Sequence, residues 1–183
     1  MDNMTHILKI GIIVVSAIVV IPAVLSGIAW LCLGLGLLFS EAPSAPEYTY
    51  GEFPYKLIYE LNGENHIIEG EYICKYSGVQ MNEGMGKYRT WVGYVNGTDE
   101  DCVYVYEDED VVVYCYIGDA GYYMGDYRRS GHPEGEPLKP RLFANPKNGD
   151  IGMILSETDI LDLYGIRLVE YSLSQPIINS FSE

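Results

Sequence analysis

Positive charge is scarce in this sequence. Eleven Lys and Arg stand against 26 Asp and Glu in 183 residues, a formal net charge of −15. Phosphate backbones recruit basic surfaces, so the balance excludes a nucleic-acid partner. It also disfavours adhesion to anionic headgroups, and it favours steering of cations and basic partners. Histidine is scarcer still, with His6, His66 and His132 alone. His132 stands in "HPEGEP" with Glu134 at the spacing of a zinc deaminase, but the Pro-Cys-x-x-Cys partner is missing. His-Glu-x-x-His, Gly-x-Ser-x-Gly and Ser-x-x-Lys do not occur, and the Gly-Lys of "GMGKYRT" lacks the Ser or Thr of a phosphate loop. The sequence therefore names no cofactor, no metal site and no catalytic residue.

Charge of either sign is missing altogether from 10–39, "IGIIVVSAIVVIPAVLSGIAWLCLGLGLLF". Thirty such residues reach ~45 Å as one helix at ~1.5 Å per residue, enough to cross a membrane with tilt. Pro22 is expected to kink that helix, which a membrane segment tolerates. The run is about twice the ~7–15 residues of a signal-peptide core. Ala42 and Ala45 are each followed by Pro, a poor place for cleavage, and Cys32 follows Leu31 rather than the small residue of a lipidation site. Lys9 precedes the run while Glu41, Glu47 and Glu52 follow it. Positive flanks stay inside. The expected arrangement is a cytoplasmic stub over 1–9, a single span over 10–39, a Pro-rich linker over 40–52 and an extracytoplasmic domain over 53–183. Ala23 and Gly27 form one small-xxx-small pair that could support helix pairing.

The outer domain alternates with a period of two. "YKLIYEL" (55–61), Asn62-Gly63 and "HIIEGEYICKY" (66–76) read as a hairpin, with Gly70 a candidate bulge. "KYRTWVGYV" (87–95) ends at Asn96-Gly97, which also opens an Asn-x-Thr glycosylation pattern. "RLFA" (141–144), "IGMIL" (151–155) and "IRLVEYSL" (166–173) are further strands. One helix is expected at 157–164, capped by Ser156 and closed by Gly165, with Ile160, Leu161 and Tyr164 inward. The fold class is mainly β: an antiparallel sandwich or curled sheet with one short C-terminal helix, behind a membrane helix.

Cysteine is sparse too, and two of the four frame "CVYVYEDEDVVVYCY", 102–116. Folding it between Asp108 and Glu109 pairs Tyr106 with Val111, Tyr104 with Val113 and Cys102 with Cys115. A two-residue loop puts the cysteines at a non-hydrogen-bonded pair ~4.5 Å apart at Cα, where a disulfide fits. A four-residue loop reverses the alternation and worsens the fit, and Cys74 would be left over. The acids of 99–101 and 107–110 then sit at opposite ends of one strand, roughly 20 Å apart at ~3.3 Å per residue, too far to share an ion. Seven Tyr crowd into 104–127. Tyr offers contact area at low entropic cost. Tyr104, Tyr106, Tyr114, Tyr116, Tyr122 and Tyr123, with Glu107, Asp108, Glu109 and Asp110, form the expected recognition surface.

The segments "MNEGMGKYRTWVGYV" (81–95), "GYYMGDY" (121–127) and "LYGIRLVEYSLSQPIINSF" (163–181), behind an apolar N-terminus, resemble small membrane-anchored proteins of unknown activity in Gram-positive gut anaerobes. The resemblance implies location and architecture, brings no catalytic residue, and implies little oxidant for a disulfide. The expected function is binding of a protein or a cell-wall glycan outside the membrane. The alternatives are a tethered hydrolase using Glu69, Glu71 or Glu134, an acidic protein that neutralises a basic toxin, and a structural subunit of an envelope complex.

Overall fold

The computed structural model describes residues 2–82, 86–127, 135–148 and 152–181. His132 and Glu134 lie outside them. The chain divides into two units. Met1–Pro43 with Val79–Tyr88 form one, and Ser44–Gly78 with Arg89–Glu183 the other.

The first unit is built on α1 (Asp2–Phe39), which runs unbroken through Pro22 and through residues 2–9 of the expected stub. Within it, Ile18–Gly36 has a mean hydropathy of 2.4 and no buried residue, so this helix is long and apolar enough to cross a membrane. The unit also holds the far end of β2 (Glu64–Asn82) and the start of β3 (Gly86–Val95). Lys87 Nζ donates to the Ser40 carbonyl at 2.7 Å, and Tyr88 Oη donates to Gln80.

The second unit is mainly β, in two four-stranded sheets. The first has the order β3-β2-β1-β8, with β1 at Tyr50–Leu61 and β8 at Ile166–Leu173. The second has the order β4-β5-β6-β7, at Cys102–Glu107, Val111–Tyr116, Arg141–Pro146 and Met153–Leu155. The expected alternation is plain in β1, where Phe53, Tyr55, Leu57 and Tyr59 are buried. They share one apolar core with Val103, Val105, Val111, Val113 and Cys115 of the second sheet. Tyr59 Oη satisfies itself across that core on the Val105 carbonyl, 3.0 Å away.

Turn chemistry sets the hairpins. Asn62 and Gly63 take φ of 53° and 87°, both positive as a primed turn requires, and Leu61 pairs with Glu64 as expected. Gly70 is no bulge, because the β1–β2 register runs straight past it. A Cβ there would stand 2.8 Å from Tyr55 Oη, so the glycine makes room for the ring across from it. Asn96-Gly97 closes no hairpin. It carries the chain from β3 in one sheet to β4 in the other.

The helix expected at 157–164 is α3 (Glu157–Tyr164), with a full capping box on Ser156 and Gly165 left-handed at φ 65°. Ile160 is buried as expected, but Leu161 is 45% exposed, because one short helix presents only a narrow stripe to the sheet. β1 begins at Tyr50, inside the stretch read as linker. Just before it, Pro46 bridges Phe181, and Asn179 accepts from Tyr48 N while donating to Tyr48 O. The two ends of this unit are therefore stitched together.

After β5 the chain turns inward. Ile117–Asp126 is buried almost throughout, around the single-turn α2 (Ala120–Tyr123) capped by Asp119. Its Asp126 is one of two buried polar residues among the described residues, at 6% exposure. Arg89 grips it with a two-pronged fork, Nε to Oδ2 at 2.8 Å and a terminal nitrogen to Oδ1 at 3.1 Å. Trp91 Nε1 adds a third bond at 3.0 Å. The same guanidinium donates to the Ser44 carbonyl and lies 3.9 Å over the Phe181 ring centre. Sequence reasoning missed this clamp because its partners lie 37 residues apart.

Candidate recognition face

The acidic tip is a turn built by one of its own carboxylates. Asp108 Oδ1 accepts from the N–H groups of Asp110 and Val111, both at 2.8 Å, and Asp108 N donates to Val111 O. The loop therefore centres on Glu109-Asp110, one residue later than expected. A bulge between Tyr104 and Tyr106 shifts the register again, so that Cys102 faces Tyr116 and Val103 faces Cys115. This corrects the Cys102–Cys115 pairing. The two thiols belong to opposite faces of the hairpin, Cys115 in the core and Cys102 half-exposed outside it, and both are free. Burial pushes the Cys115 thiol up to about 12. Burial, then Asp101 and Glu100, push Cys102 up to about 11.

The ten expected recognition residues fall in three places. Tyr122 and Tyr123 are core residues at 1% exposure each. Tyr122 Oη donates to Glu136 O and Tyr123 Oη to Ile117 O, while Tyr123 packs 4.8 Å from Phe53 between ring centres. Their one-turn helix fills the sandwich rather than decorating it. Tyr106 is swung by the bulge toward α3, where it meets Tyr164, and its hydroxyl donates to Asp108. With Asp108, Glu109 and Asp110 it lines a depression of about 940 Å³ closed by Lys147 and Tyr164. Glu107 pairs with Lys147 at 2.6 Å. Among the described residues no group of three or more His, Cys, Asp or Glu comes together to hold an ion.

Tyr104, Tyr114 and Tyr116 remain together on the outer face of the second sheet. The strand registers carry a single row across all four strands: Tyr104 opposite Tyr114, Tyr114 opposite Phe143, Phe143 opposite Ile154. Tyr114 and Phe143 stack with their planes 5° apart. The ends of the row are open, Tyr104 at 52% and Ile154 at 64% exposure. Tyr116 meets Phe143 edge-on, with the Arg141 guanidinium 5.9 Å from the centre of its own ring. Phe143 and Ile154 were not among the expected residues. The signal was present, since Leu142 and Ala144 face inward and period two then turns the intervening Phe out.

One end of the row opens on a cleft of about 570 Å³. Asp99, Glu100, Asp101, Tyr104, Tyr114 and Asn145 line it. Tyr104 Oη donates to Glu100, and that bond, more than burial, pushes the phenol up to about 12. The cleft thus combines aromatic faces with three carboxylates, a setting suited to a cation carried on an apolar stem. Glu69 and Glu71, the hydrolase candidates, line a separate open depression with Lys56 and Asn96, and Asn96 Nδ2 donates to Glu71 at 3.1 Å. No protein-family model, curated protein or solved structure matches the chain, so this face is interpreted from its own geometry.

Proposed function

We propose that the chain is a single-pass membrane-anchored protein whose outward domain binds a basic polypeptide on the outer face of the second sheet. One observation carries the reading: an aromatic and apolar row spans four strands and ends in a cleft with Asp99, Glu100 and Asp101. Tyr and Phe faces supply contact area and attract cations, and the carboxylates select Lys or Arg over neutral side chains. The net charge of −15 steers such a partner in. Lys9 before the span and the acids after it orient the domain outward. Neutralising a basic toxin at the envelope would use the same chemistry.

The test is binding of an oligolysine peptide to the full-length protein in detergent micelles, with a chitin oligosaccharide beside it. Tyr104→Ser with Ile154→Ser alters only exposed positions. The peptide should bind in a salt-sensitive way, and the variant should weaken it about tenfold, equal to ~1.4 kcal/mol of lost contact. Oligosaccharide binding lost in the same variant would transfer the face to glycans. Peptide binding indifferent to the variant would remove the proposal.

A further inference from the structure

We propose that the β2–β3 hairpin, through residues 79–82 and 86–88, is a second membrane contact resting in the headgroup layer beside the end of α1. This rests on the reading of α1 as a membrane span. The uncharged run ends at Phe39, and Ser40-Glu41 follow. A carboxylate does not stay in hydrocarbon, so Ser40 marks the boundary of the apolar layer. The headgroup region beyond it is thin, roughly 5–8 Å on each side of a ~30 Å core. Lys87 Nζ is 2.7 Å from the Ser40 carbonyl. The hairpin is therefore held one lysine side chain from the hydrocarbon edge.

What it brings there suits that layer. Val79 and Met81 stand on one side of β2 at two-residue spacing, 43% and 45% exposed. Tyr88 is half-buried on the neighbouring strand with its hydroxyl on Gln80, and Tyr and Lys are the residues that settle at headgroup depth. Charge does not oppose the approach. Residues 79–88 carry one Glu and one Lys, locally neutral in a chain of net −15. The rest of the acidic surface is repelled from anionic lipid, so the contact is apolar and needs no anionic headgroup.

The test uses the full-length protein in nanodiscs of phosphatidylcholine alone. A photoreactive benzoylphenylalanine replaces Met81, with Leu25 as a marker inside the span. Ile154 reports the background of an exposed apolar side chain. Lipid adducts at 81 several-fold above those at 154 are the expected result, and Lys87→Glu should reduce them at least threefold. Adducts at 25 with only background at 81 would overturn the hairpin contact while leaving the span intact. Background at all three positions would overturn the span and the contact together. An adduct at 81 with the mass of a second chain would replace lipid by a partner copy.

Discussion

Cutting the Arg89–Asp126 clamp from the acidic side should cost the β domain more than any surface change. Both side chains are almost wholly buried, at 8% and 7% exposure. Asp126→Ala leaves the guanidinium with the Ser44 carbonyl and the Phe181 ring, and it orphans the Trp91 N–H. Removing one partner of a buried pair typically costs ~3–5 kcal/mol, against a total stability of ~5–15 kcal/mol for a domain. With a urea slope near ~2 kcal/mol per molar, the unfolding midpoint should fall by about 2 M. The assay is near-ultraviolet circular dichroism of the full chain in micelles during a urea titration. All 17 Tyr lie between Tyr48 and Tyr171, so this signal reports mainly the β domain. Arg89→Met with Asp126→Leu removes both charges and should recover most of the loss. A midpoint shift below ~0.5 M for Asp126→Ala, about 1 kcal/mol, would refute the reasoning, since the pair would then be solvated.

Three further outcomes follow from single sites. Alkylation without reductant should modify Cys102 in the native domain, and Cys74 and Cys115 only after denaturation, with three β-domain thiols found by intact mass; two protected thiols would restore the Cys102–Cys115 bridge. Three hydrogen bonds, from Asp110 N, Val111 N and Tyr106, hold Asp108 below the usual carboxylate range. Its folded pKa lies under the unfolded value of ~3.9. Its stabilisation of the turn is thus complete above that value and is lost as pH falls through the folded one. The amide signals of Asp110 and Val111 should therefore move with a midpoint below ~3.9, and a midpoint above it would contradict the turn. Gly125→Ala should destabilise by about 2–4 kcal/mol and free the tail at Ile177 to exchange. Its φ is +71° and its new Cβ would lie 2.6 Å from the Ile177 carbonyl, so unchanged exchange would exclude that contact.

Local grammar carried much of the fold. Asn62-Gly63, the Ser156 box and Gly165 sit where turn and cap chemistry put them, because those signals depend on a few adjacent residues. The strand periods held for the same reason. The β4–β5 register did not, because a side chain took over the turn. Asp108 substitutes for backbone acceptors, moves the loop by one residue, and a bulge moves the pairing again. Tyr122 and Tyr123 misled because tyrosine serves both core and surface, and "GYYMGDY" has no period to show which face it presents. Burial there depends on Phe53 and Tyr72 of the opposite sheet, which no local pattern reveals.

The abundance of Tyr and of acids has a common physical basis. Tyr50 donates to Glu52, Tyr104 to Glu100 and Tyr106 to Asp108, all on exposed surface. Two of these pairs are two residues apart, which places both side chains on one face of an extended chain. The bond fixes the carboxylate in direction, and it keeps the phenol protonated. At the tip this consumes the acids one by one. Asp108 is occupied by two backbone N–H groups and Tyr106, and Glu107 by Lys147. Glu109 and Asp110 are exposed at the turn centre. The tip is therefore a folding device with surplus charge at its end, which discourages pairing at the β4 edge. Beside the aromatic row the same device does something different. Tyr104 holds Glu100 in place at the mouth of the cleft while its own ring stays open to a ligand. Tyr104→Phe should therefore keep the platform and lose part of the charge selection, and Glu100→Gln should keep the ring open and lose the charge selection of that carboxylate. Peptide affinity that falls with the second variant and only slightly with the first would assign selectivity to the carboxylate and contact to the ring.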